Sequence, residues 1–216
     1  MAMVAPLDMS MRTDLLTLMQ WLSPAFPLGS FAYSHGLEQV IAAGTVTNAS
    51  TLQDWLSETV QFGAGRVDAV LLCRAMAGED MAPTARALAA SKERWEETLA
   101  QGTAFAQTLS NMGKSARPVA LPVAVGEAAR DLASDPAEVA QLYLHAFASN
   151  LVSVAVRFVP LGQSEGQAVL AALHPVIAQV AEAASQTPIE QIGSAALMGD
   201  ISAMRHETLD VRLFRT

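Results

Sequence analysis

Apolar residues recur at helical spacing along most of the chain. Leu15, Leu18, Met19 and Leu22 fall at i, i+3, i+4 and i+7, the stripe of an amphipathic helix. Ser50 with Gln53 reads as a capping box, and Leu52, Trp55 and Leu56 start a second stripe. Gly63 and Gly65 weaken that helix before Val67, Val70 and Leu71 resume the pattern. Residues 91–112, SKERWEETLAQGTAFAQTLSNM, predict a helix that begins charged and turns apolar. RPVALPVAVGEAARDL carries Pro118 at its entry and Pro122 and Gly126 inside, so it predicts a buried helix that is kinked or starts late.

The stretch from Val139 to Val159 is the most informative. Leu144, Phe147, Leu151, Val154 and Phe158 alternate spacings of three and four, and Ala146, Ser149, Asn150 and Ser153 form a second stripe of small and polar residues. Small side chains admit a close neighbour, so this helix is expected to have neighbours on several sides, as at the centre of a bundle. Ser164 with Gln167 predicts another capped helix, which Pro175 kinks or splits. Thr187, Pro188 and Glu190 predict a further helix start. Only at the end, where Leu209, Val211 and Leu213 alternate with polar residues, does a strand-like period appear. The expectation is one all-α domain over residues 1–216, a single-domain helical bundle with a flexible 1–12 segment and an extended C-terminal tail.

Composition sharpens this. The chain has 216 residues, 51% hydrophobic and 16% charged, which argues against disorder and supports a sizeable core. A net charge of −8, with Lys92 and Lys114 the only lysines, argues against nucleic acid and against anionic lipid. A lone Cys73 rules out an intrachain disulfide. MAMVAPLDMSMRTD does not read as a signal peptide, and the best membrane candidate, Leu142 to Leu161, carries His145, Ser149, Asn150, Ser153 and Arg157, so a buried helix is the better reading. The chain is therefore expected to be soluble and cytoplasmic, its apolar excess destined for a core or for partners.

Tests for chemistry come back empty. There is no phosphate loop ending in Lys-Ser or Lys-Thr, no dinucleotide fingerprint and no G-x-S-x-G elbow. His35, His145, His174 and His206 are widely separated, so metal-ligand spacing is lacking. His145 reads as a core or interface residue, Cys73 as an inert buried thiol, and the methionines as core filling. Arg157 is the only formally charged residue between Glu138 and Glu165. Either it snorkels from a helix end or it makes an internal ion pair. The tail MRHETLDVRLFRT interleaves Arg205, Arg212 and Arg215 with Leu209, Val211, Leu213 and Phe214. Arginine among aromatic and aliphatic anchors is the composition of an interface, which favours a docking segment over a frayed end.

Three stretches carry a resemblance. LLTLMQWLSPAFPLGSFAYSHGLEQVI (Leu15 to Ile41) holds Ser23, Pro24, Pro27, Gly29, Phe31, Tyr33, Ser34, Gly36, Leu37 and Glu38; VRFVPLGQSEGQAVL spans Val156 to Leu170; GDISAMRHETLDVRLFRT spans Gly199 to Thr216. In order and spacing they resemble the motifs of the urease accessory protein UreF family. That resemblance implies an all-helical homodimer that binds the accessory protein UreD (also called UreH), recruits the GTPase UreG and serves nickel delivery to apo-urease. It implies no enzyme activity beyond modulating the partner GTPase, and no tightly bound cofactor, with nickel in transit through the complex. It also suggests partner-binding residues: Phe31, Tyr33, Ser34 and Glu38 on the first motif; Arg157, Gln163 and Gln167 on the second; Arg205, His206, Glu207, Arg212, Leu213, Phe214 and Arg215 on the third. The third motif is expected to order against UreD, and Ser23 to Glu38 to face UreG or lie near the dimer contact. The competing expectation is a small helical enzyme or ligand-binding bundle with a pocket near Arg157, His145 and Tyr143.

Overall fold

The computed structural model describes residues 9–209 and 212–215, and among these it contains α-helices and short 3₁₀ turns but no strand. The helices are α1 (Met9–Trp21), α2 (Leu37–Ala42), α3 (Ala49–Phe62), α4 (Ala64–Met76), α5 (Ala82–Ala87), α6 (Lys92–Asn111), α7 (Leu121–Ala129), α8 (Pro136–Phe158), α9 (Gln163–Ala172), α10 (His174–Gln186) and α11 (Leu197–His206). The all-α expectation holds. Of the strand-like end, Leu209 and Leu213 are not in a strand, Leu213 lying in a bend, and Val211 lies outside the described residues. Of the segment expected to be flexible, residues 1–8 also lie outside them, and 9–12 open α1.

Several boundaries move for local reasons. α3 is capped by Asn48, not Ser50: its Oδ1 accepts the Thr51 amide at 3.1 Å, and Thr51 Oγ1 accepts the Asn48 amide at 3.1 Å. Asn caps as well as Ser does, and Thr51 completes the reciprocal pair. α9 starts at Gln163, one turn after Val159, because Glu165 rather than Gln167 reaches back to the Gly162 amide at 2.8 Å. Pro175 splits α9 from α10, as one alternative had it, and occupies the first turn of α10, where its missing N–H costs nothing. α7 likewise starts late, with Pro122 in its first turn.

Thr187 does not open a helix. It ends α10, its hydroxyl donating to the Ala183 carbonyl at 2.8 Å, and only one 3₁₀ turn (Ile189–Gln191) follows. The chain then runs extended because it is held from α3 and α4. The Phe62 carbonyl accepts the Ala195 and Ala196 amides at 2.7 and 3.2 Å, and Arg66 donates to the Gly193 and Gln191 carbonyls at 3.1 and 3.2 Å.

The centre is shared by α4 and α8. α4 packs against α3, α7, α8 and α10, and nine of its residues from Gly65 to Ala75 are buried. α7 approaches so closely that a Cβ on Gly126 would stand 2.4 Å from the Leu72 carbonyl oxygen. α8 touches α1, α2, α3, α4, α9 and α10, which matches the expected central helix. Its stripe is buried at Leu144, Leu151 and Val154 and half-buried at Phe147, while Phe158 reaches the rim. In residues 13–21 of α1 the buried positions are Leu18 and Trp21, with Leu15 and Met19 turned outward. Trp21 fixes that rotation by setting its ring edge-on to Phe105 at 5.7 Å between centroids.

Candidate functional site

The first motif is a folded loop, not a connector. Phe26 is buried with its ring 5.7 Å from Phe105. Gly29 (φ 72) leads into a 3₁₀ turn at Ser30–Ala32. His35 (φ 56) and Gly36 (φ 76) then both take left-handed backbone. That is strained for His35, and a Cβ on Gly36 would be strained by the left-handed backbone and crowd the Ala203 amide of α11 at 3.0 Å. The loop separates its two candidate aromatics: Tyr33 is 6% exposed and Phe31 is 69% exposed. Ser34 and Glu38 are buried, so the turn at His35–Gly36 aims a carboxylate inward.

The third motif arrives at that carboxylate. His206, fully buried, sets Nδ1 2.8 Å from Glu93 Oε2 and Nε2 3.0 Å from Glu38 Oε2. His206 thus bridges the two carboxylates through its two ring nitrogens. Arg212 donates to Glu93 Oε1 at 2.7 Å, and the Leu213 and Phe214 amides donate to Glu38 at 2.9 and 3.1 Å. Burial pushes the Glu38 carboxyl up, but His206 and those two amides outweigh it and hold it below its ordinary value. Glu207 caps α6, its Oε1 accepting the Lys92 and Glu93 amides at 3.1 and 3.4 Å, where a carboxylate suits the positive helix end. The Arg215 amide donates to the Ala32 carbonyl at 2.8 Å, and Phe214 is buried edge-on to Phe158 at 5.3 Å. Arg205, Leu213 and Arg215 point outward.

The second motif meets the first across a cleft of ≈ 390 Å³. Phe31, Asn150, Ser153, Arg157, Gln163 and Gln167 line it, and Glu97 and Tyr143 also contribute to its wall. The small polar stripe of α8 thus faces this opening instead of a packed helix. Asn150 Nδ2 donates to the Tyr33 carbonyl at 3.3 Å, tying the loop to α8. Arg157 is exposed and makes no ion pair among the described residues, so it snorkels. The pocket of the competing expectation is present near Arg157 and Tyr143, but His145 is not part of it.

Sequence reasoning missed a second polar cluster just inside. Arg94 Nη2 and Tyr143 Oη both donate to Asp68 Oδ2, at 2.6 and 2.7 Å. Glu97 accepts from Gln101 at 3.2 Å and faces His35 Nδ1 at 3.4 Å and Arg94 Nη1 at 3.7 Å. Burial works against the Arg94 charge, yet Asp68 and Glu97 hold the guanidinium ionised. Burial, with the Asp68 charge, pushes the Tyr143 phenol well above its ordinary range. The signal lay in SKERWEETLAQ, whose Glu93 and Glu97 stand one turn apart on a single helix face, in the charged half of the expected helix, and are buried.

Burial, with Asp135 nearby, pushes the Cys73 thiol up to about 12, the opposite of an activated nucleophile. Among the described residues no group of three or more His, Cys, Asp or Glu side chains could hold a metal ion. Two helical stretches, Pro136–Phe158 and residues 163–186, have the length and composition to cross a membrane, but half of the first is buried within the fold and Pro175 interrupts the second.

The three motifs therefore meet in the fold: buried polar groups of the first hold the third in place, and the second shares a cleft with the first. A family model described as UreF matches residues 46–174. The chain is 56% identical over 210 residues to the urease accessory protein UreF of Cereibacter sphaeroides (strain KD131 / KCTC 12085), covering 95% of this chain and 100% of that protein. It is 48% identical to the protein of that name from Dinoroseobacter shibae, covering 93% of this chain and 98% of the other. The one from Rhodopseudomonas palustris (strain BisA53) is 42% identical, over 97% and 96%. The chain belongs to the UreF family.

Proposed function

We propose that this chain serves urease maturation in the cytoplasm as a non-catalytic scaffold. In this reading it binds UreD (UreH) through its third motif and recruits the GTPase UreG through the first motif and the cleft beside it, working as a homodimer. It bears on the partner's GTP hydrolysis, and nickel passes through the assembly to apo-urease as cargo.

The observation that carries this reading is the division of labour in the tail. Glu38, Glu93, Glu207 and Phe214 are spent on holding the segment, while Leu213 (68% exposed) and Arg215 remain free to meet a partner. The Arg215–Ala32 hydrogen bond sets them beside the exposed Phe31. Apolar and arginine side chains presented on a rigid mount are what interface hot spots are made of.

Deleting the tail would confuse docking with folding, because it strips Glu38 of its amide donors. The double substitution Leu213→Ala/Arg215→Ala removes only outward groups. It should abolish co-purification with UreD while leaving the thermal melt within a degree or two of wild type. Recovery of the UreD complex at wild-type yield would sink the assignment.

A further inference from the structure

The fold brings together two histidines that the sequence keeps far apart. His145 lies on α8 and His174 is the first residue of α10; both are exposed, and their rings stand 5.5 Å apart between centroids at 47°. Their backbones are fixed from below. Leu144 and Ala148 anchor α8 on either side of His145, and Leu173 and Ile177 do the same around His174. The pair is not part of the tail network or of the cleft beside Arg157.

We propose that His145 and His174 form a bidentate surface site for a borderline divalent cation of the zinc, nickel and copper class. Imidazole–metal bonds of about 2.0–2.1 Å ask the two ligating nitrogens to stand roughly 3 Å apart. Rings at this separation reach that spacing by rotation about χ2, which is a broad and soft torsion. Neutral imidazole suits such cations, whereas magnesium and calcium demand oxygen ligands. Among the described residues no third His, Cys, Asp or Glu completes the set. Water therefore fills the remaining positions, and the site is open and exchangeable, unlike the closed four-ligand sites that hold structural zinc.

Chelator-stripped full-length protein should be titrated calorimetrically with zinc chloride, copper chloride and magnesium chloride. The expected result is one zinc or copper ion per chain, copper the tighter of the two, and no magnesium heat. His145→Ala and His174→Ala should each weaken zinc binding about tenfold or more, and neither should disturb the fold because both rings are exposed. Imidazole nitrogen resonances of His145 and His174 should shift on zinc addition while those of the buried His35 and His206 stay in place. Zinc binding that survives both substitutions unchanged would overturn the proposal, as would half-stoichiometric binding with zinc-dependent dimers in sedimentation.

Discussion

Glu93 and Glu97, one turn apart on α6, anchor two polar networks that look alike and are built for different ends. The inner network pairs Glu97 and Asp68 with Arg94, whose side chain is 11% exposed. Its cation is a guanidinium, which does not lose its proton in a protein, and its members come from α4, α6, α8 and the first-motif loop. The outer network pairs Glu93 and Glu38 with His206 and Arg212, and the Arg212 side chain is 44% exposed. Its one guanidinium is half in water. The inner set is a permanent fastening of the bundle. The outer set is a fastening open to solvent at Arg212, and it holds the segment proposed above as the docking segment.

The sharpest way to break this comparison is Arg94→Met. It leaves Asp68 and Glu97 buried without their cation, and losing one partner of a buried ion pair costs about 3–5 kcal/mol. Urea denaturation should show a loss of that order, well above the typical point substitution. A loss under about 1 kcal/mol would mean that the inner network is not a fastening at all.

Glu38→Gln probes the outer set more gently. Gln keeps an oxygen for the Leu213 and Phe214 amides but gives up the charge opposite His206. The expected cost at neutral pH is about 1.5–3 kcal/mol, the usual range for a hydrogen bond to a charged group. The sign with pH follows from the depressed Glu38 carboxyl, whose ordinary value is 4.5. A group held lower in the folded state contributes its stability above that ordinary value and loses it as pH falls through the folded value. The gap between wild type and Glu38→Gln should therefore be full at pH 6–7 and narrow below about pH 4.5. A gap that is unchanged at pH 3.5 would place the stabilisation elsewhere.

Much of the bundle was legible because period and core coincide. The 3- and 4-residue spacing in Val139 to Val159 does mark the helix that touches most of the others. Pro122 and Pro175 do mark helix starts, since a proline in the first turn forfeits no intrahelical bond. Helix caps were less legible. Asn48 and Glu165 compete with equally plausible neighbours, and only tertiary placement chooses among them. For the site, motif matching found His206, Arg212 and Glu38 but could not say that they touch. Nor could it split Phe31 from Tyr33, because a loop has no period to assign faces. Glu93, Arg94 and Glu97 were hidden by the default that charge means solvent, which fails where carboxylates find buried cations. The pairing of His145 with His174 depends on the packing of α10 against α8, and no local spacing encodes it.

The smallest effect is also the most discriminating between the networks. Arg212→Ala removes a cation that is half in water, so its contact with Glu93 is worth about 0.2–1 kcal/mol, the range of exposed ion pairs. His206 still faces Glu93 after the substitution, so no carboxylate is left wholly without a partner. Salt supplies the contrast. At 1 M ionic strength the screening length falls to roughly 3 Å, which erodes an exposed pair and leaves a buried one largely intact. The stability difference between wild type and Arg212→Ala should thus shrink toward zero from 0.05 to 1 M sodium chloride in denaturation experiments, while that of Arg94→Met persists. If the two differences respond to salt alike, the distinction between a permanent inner fastening and a releasable outer one is wrong. If only the outer one fades, the tail is held by forces a partner surface can match, and release of the segment becomes a step that docking itself can drive.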